Sequence, residues 1–427
     1  MSDEAKKINK CRSCGFAKLD DILSLGNLYV SAFVDEEEQK GMKKYPLDLV
    51  LCNETSGGCG LLQLRHTVPS EVMYRNYWYR SGTNQTMTDA LYDIVSAAKA
   101  VAQLGKGDFV IDIGANDGTL LSAYADSGVT RVGFEPARNI APVAKNNAEH
   151  IINDFFNFEA WVKEFPGKKA KIITAIAMFY DLDDPNKFVA DAAKCLDDDG
   201  VFIIQMSYLP LMLSQKDFMN ICHEHLEYYS LLSLENLLKR HNLEVFDVET
   251  NDVNGGSFRV FIKHKNSGKN IKIKPRADEC VEKMRADERA LGLNGRKPYE
   301  DFVRRVEDLK RRTVEFIKSE TAKGKKVYVY GASTKGNTLL QYYGLSTKEI
   351  PFAIERSQYK WGKKTVGSLV PIISEEQARA EKPDYFLILP WHFIKEFLER
   401  EKKFLEGGGK FIVPLPEFKI LGAEDIK

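Results

Sequence analysis

The chain has 427 residues, 44% of them hydrophobic and 29% charged, and its 61 Lys plus Arg are balanced by 61 Asp plus Glu. That length exceeds one ordinary core at about 150 residues per domain, and the charge balance lacks the basic excess that draws a chain to nucleic acid or an anionic membrane. No apolar run approaches the roughly 20 residues of a membrane span and the polar start Met1–Lys10 is unlike a signal peptide, so a cytoplasmic α/β protein of three domains is expected, binding neither nucleic acid nor membrane.

In chain order, residues 1–85 read as an irregular, core-poor module carrying Cys11, Cys14, Cys52 and Cys59 and the aromatic run Tyr74–Tyr79. Residues 86–265 open on an amphipathic helix over 86–104, where Met87, Leu91, Ile94, Val95, Ala98 and Val101 recur every three or four positions. Apolar runs at Phe109–Ile113, Arg131–Phe134, Ile172–Ala177, Val201–Gln205, Glu244–Glu249 and Phe258–Lys263 then alternate with helical patterns near 119–127, 137–147, 185–196 and 233–241. This predicts a mostly parallel sheet with helices on both faces. Residues 266–427 begin with dense charge, read as a linker followed by a helix over Tyr299–Thr321. A second alternation follows, with strands at Lys326–Tyr330, Pro351–Ile354, Asp384–Leu389 and Lys410–Val413. That is a second small doubly wound, Rossmann-like unit.

The strongest local signal is Phe109-Val-Ile-Asp-Ile-Gly-Ala-Asn-Asp-Gly118: a strand, a tight acidic turn and a helix. Gly114 leaves room for a ligand against the backbone, and Glu135 stands at the end of the next strand, where a ribose diol would lie. Asn116 occupies the place where a phosphate-binding loop wants its second glycine, which favours S-adenosylmethionine over a dinucleotide. Asp112 and Asn116 are then expected near the methionine part, Glu135 at the ribose and Asp154 at the adenine amine. A dinucleotide site and a purely structural turn are the alternatives.

Cys11-x-x-Cys14 with Cys52 and Cys59 offers four thiolates in two knuckles, as a closed structural zinc site requires. The second knuckle is unusual in its six intervening residues, Asn53–Gly58; free cysteines in an irregular lobe are the alternative. Cys222-His223-Glu224-His225 offers an imidazole base with a carboxylate beside it. A metal site or a hydrogen-bonded structural loop would also accommodate these residues.

Several pieces in the same order resemble the sugar C-methyltransferases that act on nucleotide-linked keto-deoxysugars. They are the Cys11/Cys14 knuckle, Tyr45-Pro-Leu-Asp-Leu49, Gly60-Leu-Leu-Gln-Leu64, Tyr77-Trp-Tyr79-Arg-Ser-Gly82, the Asp112–Gly118 turn, His223-Glu-His225, Val253-Asn-Gly-Gly-Ser-Phe-Arg259 and Gly331-Ala-Ser-Thr-Lys-Gly-Asn337. The resemblance implies a zinc-bearing domain over 1–85, a methyltransferase domain over 86–265 and a sugar-nucleotide-binding domain over 266–427. His225 is then the expected base, oriented or assisted by Glu224, with His223 and Tyr79 shaping the sugar site and Tyr77, Cys222, Asn254, Lys335 and Asn337 as substrate contacts. Two departures stand out: Cys222 replaces the usual tyrosine, and Met178-Phe-Tyr-Asp181 lacks the usual histidine. An O- or N-methyltransferase and a non-catalytic binding protein are the rival readings, and a monomer is expected.

Overall fold

The computed structural model describes residues 4–74 and 79–426. Tyr77 lies outside the described residues, as does the side chain of Asn254.

The N-terminal module is not irregular. Asp20–Tyr29 pairs antiparallel with Lys44–Leu51, which pairs with Leu62–Leu64. The ladder slips between Asp21 and Leu23 and again between Ser24 and Asn27; such bulges break the period-two pattern by which a strand is read from sequence. The fourth strand of this sheet, Glu227–Tyr228, comes from the far side of the chain and sets Glu227 opposite Gln63.

The central sheet has seven strands, beginning in spatial order at Leu243, Ser257, Leu196, Ala170, Phe109, Thr130 and His150. Five run parallel, from Leu196–Ser207 to His150–Ile152, and Ser257–His264 runs antiparallel to both its neighbours. Every expected strand of this unit is present. His150–Ile152 is additional; three residues are too few to show a period. The chain reverses its direction of travel across the sheet at Phe109–Ile113, and that switch point opens a crevice at the carboxyl ends of the strands. Gln85–Val101 covers one face by burying Leu91, Ile94, Val95, Ala98 and Val101.

The charged stretch expected as a linker contains a helix, Ala277–Ala290. Its apolar stripe is thin, with Ala277 and Val281 buried. Glu288 docks it instead: the carboxylate accepts the Leu231 and Leu232 amides at 2.6 and 2.9 Å and the Tyr208 hydroxyl at 2.8 Å. A helix fastened by one buried carboxylate leaves little periodicity to read.

The C-terminal sheet has six strands, beginning at Ile372, Ala353, Val327, Tyr385, Lys410 and Lys419, with the last antiparallel. Lys297–Ala322 packs on it through Tyr299, Phe302, Val306, Leu309, Thr313 and Ile317. Lys364–Thr365 pairs with Phe33–Val34, and the Ser31 hydroxyl donates to the Thr334 carbonyl at 2.8 Å, so the N-terminal lobe bridges both larger units. No helix among the described residues is long and apolar enough to cross a membrane.

Candidate active site and metal centre

The sulfurs of Cys11, Cys14, Cys52 and Cys59 lie within 4.8 Å of one another. Cys11 and Cys59 are 3.7 Å apart, and Cys14 and Cys52 3.4 Å, close to the ~3.8 Å edge of a tetrahedron with ~2.3 Å Zn–S bonds. Two nitrogens point at the cluster: the Gln63 amide reaches Cys11 Sγ at 3.1 Å and the Cys59 main-chain N–H reaches Cys52 Sγ at 3.4 Å. The long second knuckle closes because Asn53 caps a short 3-10 turn over Glu54–Ser56 and Gly58 leaves space; a Cβ there would meet Cys52 Sγ at 2.7 Å. The thiol of Cys14 is pushed up to about 12, chiefly by its hydrogen bond with Cys11 and then by burial. A divalent cation relieves that crowding, so the donor set fits zinc.

At the end of Phe109–Ile113 the backbone turns sharply. Gly114 takes φ 71° and Asn116 φ 49°, and the amides of Gly114 and Ala115 both donate to the Phe134 carbonyl. Glu135 braces the turn by accepting the amides of Asn116 at 2.8 Å and Ala137 at 2.7 Å. Asp112 is buried, takes the Thr174 hydroxyl at 2.6 Å and has no cationic partner among the described residues. Burial pushes its carboxyl up to about 7. A buried acid facing a cavity and lacking a counter-charge suits a cofactor that carries sulfonium and ammonium charges.

Asn116 turns its side chain away from the turn. Its oxygen accepts the Ser81 amide at 2.9 Å and its nitrogen donates to the Tyr79 carbonyl at 3.0 Å, while Asp117 accepts the Gly82 amide at 2.8 Å. The segment 79–82 is thereby strapped across the turn.

The turn opens into a cavity of about 530 Å³. Asp112, Asn116, Tyr79, Tyr180, Asp181, Cys222, Glu224, His225, Lys335, Trp391 and His392 are among the residues that line it. The His225 ring lies 4.3 Å, centroid to centroid, from that of Tyr180. Its Nδ1 is 2.8 Å from the Asn220 carbonyl; a carbonyl only accepts, so Nδ1 carries the proton and Nε2 keeps its lone pair. Burial, with the nearby charge of Lys335, lowers the imidazole to about 3. One carboxylate oxygen each of Asp181, Asp217 and Glu224 is buried without a hydrogen-bond partner among the described residues.

The chain matches a zinc binding domain family over residues 11–74, a methyltransferase domain family over 86–248 and the C-methyltransferase C-terminal domain family over 252–416. Over 428 aligned positions, covering 99% of each chain, it is 34% identical to the C-methyltransferase NovU of Streptomyces niveus. The chain belongs to the C-methyltransferase family. Its methyl donor is S-adenosylmethionine, and its N-terminal domain binds zinc. Among solved structures it is similar to the magnesium protoporphyrin IX methyltransferase of Synechocystis PCC 6803 with bound SAM, at 11% identity and TM-score 0.31 over 42% of this chain and 79% of that one. It is also similar to the mitomycin 7-O-methyltransferase MmcR, at 15% identity and TM-score 0.34 over 43% and 55%. Those likenesses are too slight to add to the family assignment.

In this C-methyltransferase the expected site residues divide. Asp112, Asn116, Tyr79, Glu224, His225, Cys222 and Lys335 reach the cavity. Gly114 and Glu135 stand behind it as the frame of the turn, and Asp154 is exposed after His150–Ile152. His223 is buried away from the cavity, against the Tyr45 carbonyl at 3.1 Å, where it ties the His-Glu-His segment to the N-terminal sheet. Asn337 is fully buried and donates to the Ala32 carbonyl at 2.9 Å. Glu224 does not orient His225; the Asn220 carbonyl does. Tyr180, Asp217, Asn220, Trp391 and His392 were not anticipated. Trp391 and His392 come after the strand Tyr385–Ile388, just past Leu389 and Pro390, and the rule that ligands gather at the carboxyl ends of parallel strands would have found them.

Proposed function

We propose that the enzyme methylates a carbon of a nucleotide-linked keto-deoxysugar by way of an enolate. One observation carries this reading: a single cavity takes its walls from Asp112 and Asn116, from Tyr180, Glu224 and His225, and from Lys335 and Trp391. A donor pocket, a proton acceptor and a cation thus share one surface.

When bound, S-adenosylmethionine supplies an electrophilic methyl group, and Asp112, which lines the cavity, would partner its positive charge. The neutral Nε2 of His225 accepts the proton α to the ketone, and the electron pair of the broken C–H bond moves toward the carbonyl oxygen. Burial raises the Glu224 carboxyl toward its protonated form, in which it donates to that oxygen. Lys335, on the helix Thr334–Tyr343 capped by Ser333, lines the cavity and suits a diphosphate. An anion there offsets the charge that holds the His225 basicity down and so strengthens the base as the acceptor docks. The test is to incubate the protein with S-adenosylmethionine and a panel of keto-deoxysugar nucleotides, following product mass and the loss of the α-hydrogen. Methyl transfer to oxygen or nitrogen, with every carbon-bound hydrogen retained, would reject the enolate route.

A further inference from the structure

Asn220 is the point at which the catalytic segment and the C-terminal domain meet. It ends the 3-10 turn Phe218–Asn220 and is buried. Its main-chain carbonyl accepts three donors: the Cys222 amide at 3.1 Å, His225 Nδ1 at 2.8 Å and the Tyr228 hydroxyl at 3.3 Å. Its side chain is occupied on both sides. Oδ1 accepts from Lys335 Nζ at 2.5 Å, and Nδ2 donates to Asp217 Oδ2 at 2.8 Å. An imidazole free to exchange tautomers would present Nε2 as an acceptor only part of the time. A carbonyl fixed opposite Nδ1 removes that freedom. The carbonyl is itself fixed, because the side chain of the same residue is pinned to a lysine 115 positions away and to a buried carboxyl.

We propose that Asn220 is a positioning residue: its carbonyl sets the tautomer of His225, and its side chain ties that carbonyl to Lys335, so that contact between an anionic acceptor and Lys335 is felt at the imidazole. The catalytic weight of this link rests on the reading of His225 as the proton acceptor.

The test uses full-length protein labelled with ¹⁵N-histidine and no acceptor, with the His225 signals identified by their loss in His225→Asn. Wild type should show one tautomer, protonated at Nδ1. Asn220→Ala should show both tautomers, and its kcat should fall by about 10- to 100-fold, the scale of a misplaced reacting group, with cofactor affinity within about twofold of wild type. A folded Asn220→Ala protein that keeps the single tautomer or the wild-type kcat overturns the proposal. If Asn220→Ala does not fold, Lys335→Gln decides: loss of the single tautomer supports the link and its retention overturns it. Wild-type turnover by His225→Asn would instead remove the base assignment, leaving the acceptor-free tautomer measurement to judge the hold of Asn220 on the imidazole.

Discussion

Asp112 has its carboxyl pushed up to about 7 by burial, with the Thr174 hydroxyl pulling the other way and Glu135 adding repulsion. Below that value it is protonated in the free enzyme, and binding a cationic cofactor must then also release the proton. Affinity for S-adenosylmethionine should therefore fall as pH drops below 7, by about tenfold per unit at the limit, and level off above it. Titration calorimetry at several pH values checks this, and Asp112→Asn should bind weakly with no pH dependence. Glu135 spends its oxygens on the amides of Asn116 and Ala137, so Glu135→Ala should cost about 1 to 3 kcal/mol of cofactor affinity; unchanged binding in a folded variant would refute its role. His225 is lowered to about 3 first by burial and then by Lys335, with the Asn220 bond opposing. The acid limb of kcat/KM should thus lie well below the ordinary histidine value of 6.5 and move upward in Lys335→Gln. His225→Asn should lose about 100-fold or more in turnover and stop exchange of the α-proton with heavy water; continued exchange at the wild-type rate would shift the role to Tyr79 or Tyr180. Residues whose chemistry sits within a few positions, such as Asp112 with Gly114 or His225 with Cys222, were legible in the sequence. Asn220 was not, because its meaning comes from Lys335, 115 residues on.

Among the elements, those whose burial is continuous could be read directly. Strands buried on both faces appear as near-continuous apolar runs, which is why Phe109–Ile113, interrupted by Asp112 alone, and Val201–Gln205 stood out, and the Gln85–Val101 helix repeats its buried positions at helical spacing. The N-terminal sheet escaped because its bulges break the alternation, and Ala277–Ala290 because a polar contact docks it. The strap over 79–82 escaped for a third reason: it is held by main-chain amides and carbonyls, which no side-chain pattern reveals. Among the described residues, the side chains of Asn116 and Asp117 anchor it to the turn. Asn116→Ala should free the strap and raise KM for the acceptor more than it weakens the cofactor, since Tyr79 lines the cavity beside that segment. Steady-state kinetics with each substrate varied in turn separates the two effects.

For the whole molecule, the three units are laced together by short strands: Glu227–Tyr228 completes the N-terminal sheet, and Lys364–Thr365 pairs with Phe33–Val34. The four cysteines hold the lobe that both of these strands join. Purified protein should contain close to one zinc per chain, and Cys14→Ser should lose it and melt at lower temperature. Because Glu227–Tyr228 lies two residues beyond His225, zinc removal should also depress turnover while cofactor binding, framed by Glu135 and Asp112, declines less. Metal analysis, calorimetry and kinetics on the same samples decide this, and full activity after complete removal of zinc would show the lobe to be dispensable. The borrowed strand has a further consequence during synthesis. The N-terminal sheet emerges from the ribosome with Leu62–Leu64 as an unpaired edge, and its partner is translated only after most of the methyltransferase sheet. Nascent chains therefore carry an open strand edge, a template for pairing with neighbouring chains, until Glu227 and Tyr228 emerge to close it.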